Sequence, residues 1–406
     1  MRAVTRPLPE VNDGVVDLND VAGAGGSLFV RDGIGVAGQG EAARVPADDA
    51  VELLASIEHD GAGGADGASG VGPVAIGCLP FRPGSDAMLL VPQRVVRKDA
   101  LGGAWVTDVF VDGEPVTDRG PVAVAGAPGP EHGTYRITPA VDVQHYLDAV
   151  DAARAAVRRG DIVKAVIARP IVVDVDTEID VHAVLRRLKA SFGSSYRFSI
   201  DGLIGASPEL LVEVDGDAVR SHPLAGTAPV TGDVANDDAV AAALIESTKD
   251  QVEHRVVIDV VHDTLLPWCS YLDWEPEPSV IRVANVQHLG TLIEGMLSRP
   301  RPSVIELARA LSPTPALGGH PRHEALALID AVEDFDRERY GGTVGWTDAA
   351  GNGAWAVVIR CAELAGDRRS ARLVAGGGIV ADSDLAAELA ETQAKFQAML
   401  SALIRA

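Results

Sequence analysis

The stretch "ELLVEVDGDAVRSH", from Glu209 to His222, constrains the fold more than any other. Leu210, Val212 and Val214 alternate with Glu209, Leu211 and Glu213, which is the period of a strand. Asp215-Gly216 is a two-residue hairpin signal, and a return strand starts at Ala218. A hairpin obliges its two strands to pair antiparallel. Further strand-like runs follow at 281–291, 343–347, 354–362 and 371–380, many of them neighbours in sequence. Strands that follow strands favour an α+β fold with antiparallel sheets over a doubly wound one. The hairpin also raises a question. Glu209 heads an apolar strand after Ser207-Pro208, either as a surface charge on an edge or as an acid held for chemistry.

Helices are predicted at three places. Val143, Tyr146, Leu147, Val150, Ala153 and Val157 mark one helical face, which Gly160 stops. A second helical stretch covers 236–264. A last one starts near Ser383 and runs to the end, with Leu385, Leu389, Phe396, Leu400 and Leu403 on its apolar side. Residues 1–120 hold short strand-like runs such as "VGPVAIGCLPF" and "AMLLVPQRVV" and no recognisable chemistry. "VAVAGAPGPEHG" (122–133) is the candidate linker. The chain therefore divides into an N-terminal part, 1–135, and an informative region, 136–406.

Charge and cysteine usage narrow the function. Acidic residues outnumber basic ones by 58 to 35, for a net charge of −23. Such a chain repels phosphate backbones and anionic membranes, so neither nucleic acid nor membrane is expected as a partner. An anionic substrate would need local cations or a metal. Cys78, Cys269 and Cys361 are far apart and form no CxxC pair, which indicates neither a disulfide framework nor a zinc site. The first residues carry no apolar signal core, and no apolar run reaches membrane-spanning length; a cytoplasmic protein is expected.

Several positions could carry chemistry. Lys164 shares a strand face with Ile162 and Val166 in "IVKAVI". If buried, desolvation favours its neutral amine, a usable base; otherwise it snorkels out from a strand end. Arg360 shares a face with Val358 and Ala362 in an apolar strand and calls for an anion, either a carboxylate of the fold or a ligand. Asp250 and Glu253 are three residues apart behind Ser247 and Thr248, and Glu388 and Glu391 are three apart behind Ser383. That spacing puts each pair on one helix face. Acids also suit the first turns of a solvated helix. If the pairs converge, a hard cation such as Mg²⁺ would have to sit between them. The run Ala375-Gly376-Gly377-Gly378 is either a tight turn or a backbone cradle for an anion.

Together these stretches resemble the chorismate-utilising family of isochorismate, salicylate, anthranilate and aminodeoxychorismate synthases. The blocks are "IVKAVIAR", "ASPELLV", "HPLAGT", "STKDQVEH", "NVQHLGT", "SPTPALGG", "FDRERYGGTVGW", "VVIRCAEL" and "AGGGIVADSD", and they run from about Gly160 to the C-terminus in family order. The resemblance implies one large α+β unit in which two antiparallel sheets form a sandwich flanked by helices, with the active site in a central cleft. It implies Lys164 as general base and Glu209 as general acid. Mg²⁺ would be held by Glu253 and Glu391, with Asp250 and Glu388 acting through water. Arg360 and the Gly376 backbone would hold the enolpyruvyl carboxylate of chorismate, with Thr227, His288, Ala316, Leu317, Tyr340 and Lys395 lining the same site.

Within the family, aminodeoxychorismate synthases carry a lysine at the position of Ala225, and anthranilate synthases lack the counterpart of Lys164. "PTPALGG" is more similar to isochorismate synthases, whereas tyrosine at the position of Tyr340 occurs in salicylate synthases. Ser312 and Ala354 stand where histidine and glutamate are common, and no arginine follows "AGT". The expected activity is reversible conversion of chorismate to isochorismate, feeding siderophore or menaquinone biosynthesis, by a monomer with no glutamine amidotransferase subunit. The alternatives are a salicylate synthase, an anthranilate synthase component I and an inactive chorismate-binding protein.

Overall fold

The computed structural model describes residues 1–8, 16–61, 71–126, 133–283 and 286–404. Part of the candidate linker, 127–132, lies outside the described residues. Among the described residues the strands form sheets of 13, nine and three strands. Every pairing is antiparallel except that of Arg2–Pro7 with Glu58–Gly61. The two larger sheets share one apolar core. It takes in Phe29, Phe198 and Ile200 from the larger sheet and Ile76, Val212, Val344 and Trp355 from the smaller. Helices Val181–Phe192 and Leu385–Ile404 cover the outer face of the larger sheet through Val184, Leu188, Phe396 and Leu400. Helix Val143–Arg159 ends on Gly160 in the left-handed conformation, as the sequence predicts, and packs with Arg322–Val332 against strand Lys164–Val175. The larger sheet draws strands from both sides of residue 135, among them Ser27–Arg31 and Ala104–Phe110 beside Lys164–Val175 and Ser370–Ile379.

Three sequence expectations are corrected. The helical stretch 236–264 is two helices, Val234–Glu246 and Thr248–Leu265, because Ser247 turns extended and caps the second. The strand at 281–291 is a hairpin of Ser279–Val283 and Val286–Gly290 in the third sheet, beside Leu224–Pro229. The strand at 354–362 is broken. Gly353–Val357 belongs to the nine-stranded sheet and Cys361–Leu364 to the 13-stranded one. Arg360 therefore lies outside the ladder, with φ 52°. An apolar run buried on both faces reads the same whether it stays in one sheet or changes sheets.

That break has a twin. Leu203–Ser207 lies in the 13-stranded sheet and Leu210–Asp215 in the nine-stranded one, so the chain changes sheets at Pro208-Glu209. The two crossing chains are neighbours in both sheets, with Gly205 opposite Cys361 and Leu210 opposite Ala356. At the crossing the Val357 N–H donates to the Glu209 carbonyl at 3.1 Å, and the Ala206 N–H to the Arg360 carbonyl at 3.1 Å. The sandwich opens where both chains leave it, and that opening places Glu209 and Arg360 side by side.

Candidate active site

A cleft of about 800 Å³, measured to its open mouth, starts at this opening. The crossing contributes Glu209 and Arg360, and the small sheet contributes Thr227 and His288. Ala316 and Leu317 come from the turn before Gly319-His320, while Tyr340 and Gly376 form the floor with the strand run behind them. Glu253, Glu391 and Lys395 project from the helices. Lys164, Asp250 and Glu388 stand one contact behind this lining.

Glu209 is 3% exposed. Burial pushes its carboxyl up to about 8, against the Leu224 N–H that donates to it and the more distant charges of Lys164 and Arg360. It is no edge carboxylate. Arg360 is also buried, and its Nη1 finds no hydrogen-bond partner among the described residues. Its Nη2 donates to His288 Nε2 at 3.2 Å. His288 Nδ1 then donates to the Gly226 carbonyl at 3.0 Å and lies 3.2 Å from Thr227 Oγ1. Burial, then the charges of Arg360 and Lys395, hold the imidazole neutral down to about 3. One fixed tautomer therefore orients the guanidinium. Burial also raises the Tyr340 phenol to about 12, so it stays a neutral donor.

The helix wall is arranged differently. Lys164 is buried at the first residue of its strand and donates from Nζ to Glu253 Oε1 at 2.7 Å. It does not snorkel. Glu391 meets Lys395 Nζ at 2.6 Å, and Lys395 also donates to the Gly376 carbonyl at 2.7 Å. Phe396, Met399, Leu400 and Leu403 anchor this helix at roughly 1.5–3 kcal/mol each, so its other face can afford charges. Asp250 accepts from the Ser247 hydroxyl and faces Gly226.

At the end of the Ser370–Ile379 strand two glycines leave room for carboxylates. A Cβ on Gly377 would lie 2.6 Å from Glu388 Oε2, and one on Gly378 2.9 Å from Glu253 Oε1. Among the described residues no group of three or more His, Cys, Asp or Glu side chains is gathered into a metal-binding cluster. Glu253 and Glu391 face lysines. In kind the donors fit a hard divalent cation: they are all oxygen, with no thiolate among them.

Sequence reasoning misses part of the lining. Pro208, Ile359, Cys361 and Met399 line the cleft, and the Leu224 N–H serves Glu209. A main-chain donor leaves no side-chain signal, and the apolar positions read only as core.

A sheet sandwich opened at a paired crossing, with an acid kept protonated beside an unsatisfied guanidinium, defines a binding cleft for an anionic small molecule. The chorismate binding enzyme family model matches residues 125–404, and the chain belongs to that family. MenF of Mycobacterium tuberculosis is 41% identical over 347 residues, covering 82% of this chain and 87% of the relative. The isochorismate synthase DhbC of Bacillus subtilis is 38% identical over 342 residues, covering 82% of this chain and 81% of the relative. The crystal structure of DhbC from Bacillus anthracis superposes with a TM-score of 0.78 at 34% identity, covering 95% of this chain and 98% of that one.

Proposed function

We propose that this chain is an isochorismate synthase, an enzyme that converts chorismate reversibly to isochorismate. One observation carries the reading: a carboxyl held up near 8 in a cleft, next to a buried arginine with a free donor. An orphaned buried N–H costs about 1–3 kcal/mol, and a non-glycine residue in the left-handed region costs about as much again. Both fall on Arg360, whose φ is 52°. A substrate carboxylate on Nη1 would offset the first cost.

Chorismate carries its hydroxyl on ring carbon 4, and isochorismate on ring carbon 2. Water adds at carbon 2, the ring double bonds shift, and the bond from carbon 4 to its hydroxyl breaks. Lys164 takes a proton from the attacking water. Glu209 gives its proton to the departing hydroxyl, which leaves as water. In the reverse direction the two roles exchange. General acid–base help of this kind is worth about 10²–10⁴ in rate per group.

Glu253 and Glu391 would hold Mg²⁺, with Asp250 and Glu388 acting through water. Bound there, the ion supplies positive charge for the ring carboxylate of a dianionic substrate in a protein of net charge −23. With Glu253 engaged by an ion, Lys164 Nζ would be released from its 2.7 Å contact to face the attacking water. Arg360, oriented by His288, takes the enolpyruvyl carboxylate, while Gly376, Thr227, Lys395, Tyr340, Ala316 and Leu317 shape the rest. Water is the nucleophile, so no glutamine amidotransferase is required. We place the enzyme in the cytoplasm as a monomer; among the described residues no helix is long and apolar enough to cross a membrane.

The test is purified protein, chorismate and Mg²⁺, with chromatography of the products. Isochorismate is expected, also with saturating ammonium. Salicylate with pyruvate would make the protein a salicylate synthase. Anthranilate or aminodeoxychorismate as the main product would overturn the assignment.

A further inference from the structure

Arg337 lies between helix Arg322–Val332 and strand Thr343–Asp348, and its side chain is 2% exposed. A buried guanidinium needs acceptors around it. Nη1 donates to the Leu317 carbonyl at 2.8 Å and Nη2 to the Val166 carbonyl at 2.6 Å. Nε donates to Glu333 Oε2 at 2.8 Å, and Glu333 Oε1 accepts the Ala168 N–H at 2.7 Å. The guanidinium stacks 4.4 Å from the Phe81 ring centroid and lies 6.0 Å from that of Tyr340.

These contacts end on the cleft. Val166, Leu317 and Tyr340 line it. Val166 pairs with Gly378 and Ala168 with Gly376, so the bracket grips the strand at the rungs facing the glycine run. Lys164 is two residues away on the same strand. The Arg337–Glu333 pair is neutral as a unit and touches no lining side chain that carries charge. Its leverage is geometric.

We infer that Arg337 is a positioning residue that, with Glu333, fixes the Lys164 strand against the Ala316-Leu317 wall. The inference rests on the assigned reaction for its kinetic consequence. A small misplacement of a catalytic group costs about 10²-fold in rate. His288 sits on another strand and Arg360 at the break between two others, so substrate binding is largely spared.

Arg337→Ala should therefore lower kcat about 10²-fold while KM for chorismate changes less than about threefold. Millimolar guanidinium should refill the space and restore about tenfold of the loss, whereas urea should not. An R337A protein at wild-type kcat, or one whose kcat and KM worsen together without response to guanidinium, overturns the role. If R337A does not fold, Arg337→Lys decides. It keeps the charge beside Glu333 but cannot reach both carbonyls, and a folded R337K at wild-type kcat overturns the role. Hydrogen exchange at the Ala168 amide is independent of the reaction. Unchanged protection in the folded variant also overturns the role, while wild-type protein that makes no isochorismate fails the assigned reaction instead.

Discussion

The two walls of the cleft each present carboxyl groups, buried on one and half-buried on the other, and do opposite things with them. On the sheet-crossing wall Glu209 has a main-chain N–H as its nearest partner, while Lys164 and Arg360 act on it from farther away. Burial wins, and the group keeps its proton to about 8. On the helix wall Glu253 and Glu391 meet lysine ammonium groups at 2.7 and 2.6 Å. At that range Coulomb attraction and a charge-assisted hydrogen bond tie each carboxylate to its lysine. Depth of burial and distance to the nearest cation change together between the walls, and both set what a carboxyl can do. One wall presents an acid, the other presents anions ready for a cation.

If the helix wall is a cation site, removing the cation gives the largest effect. Turnover should vanish in excess EDTA and return with Mg²⁺. Glu391→Gln should abolish Mg²⁺-dependent turnover while costing at most about 0.5 kcal/mol in stability, because the Glu391–Lys395 pair is an i,i+4 pair with Glu391 32% exposed. Full activity in EDTA would leave the two walls as ordinary ion pairs facing an acid.

The next effect breaks the crossing wall. Glu209→Gln keeps the shape and the Leu224 contact and removes only the transferable proton, so kcat should fall about 10²-fold or more in both directions. Lys164→Ala should do comparable damage, and the double variant should be little worse than either, since both groups serve one exchange of hydroxyls. Chorismate binding, read by KM, should survive in Glu209→Gln because Arg360 and the helix wall are intact. A Glu209→Gln protein near wild-type rate would make the two walls equivalent.

The contrast between the walls was only half legible in the sequence. The helix wall could be read, because i,i+3 spacing fixes which side chains share a helix face and Ser247 and Ser383 mark the starts. The crossing wall could not. "GAWAVVIRCAEL" has one unbroken apolar period, so Arg360 reads as a strand residue, yet it sits at the break between two sheets. Glu209 was in view as a residue, but its twin crossing follows from pairing with a segment about 150 residues away, which no local pattern carries. Lys164 read as either buried or snorkelling, and its partner was not legible at all: a strand pattern does not say whether a lysine is enclosed or which carboxylate faces it. Arg337 lay inside a quoted block and Glu333 two residues before it, and the bracket still went unread, since an i,i+4 Glu–Arg pair usually marks a solvated surface.

The smallest effect is also the one that separates a held acid from a mere surface charge without any assay of turnover. The native Glu209 carboxyl binds its proton up to about 8, whereas the unfolded group releases it near 4.5. Between those values the folded state binds more protons than the unfolded one, so stability falls as pH rises through the window. The group works against the fold at neutral and alkaline pH, by an amount on the order of 3–5 kcal/mol. Glutamine has the same shape and no charge to bury, so Glu209→Gln should melt a few degrees higher than wild type at pH 8 and nearly with it below pH 4.5. In wild type the forward rate should also decline above about pH 8, where the acid has lost its proton, and that limb should be missing from the residual rate of the variant. Melts that coincide at every pH would mean that the fold does not hold the Glu209 proton, and the distinction between the walls would be gone.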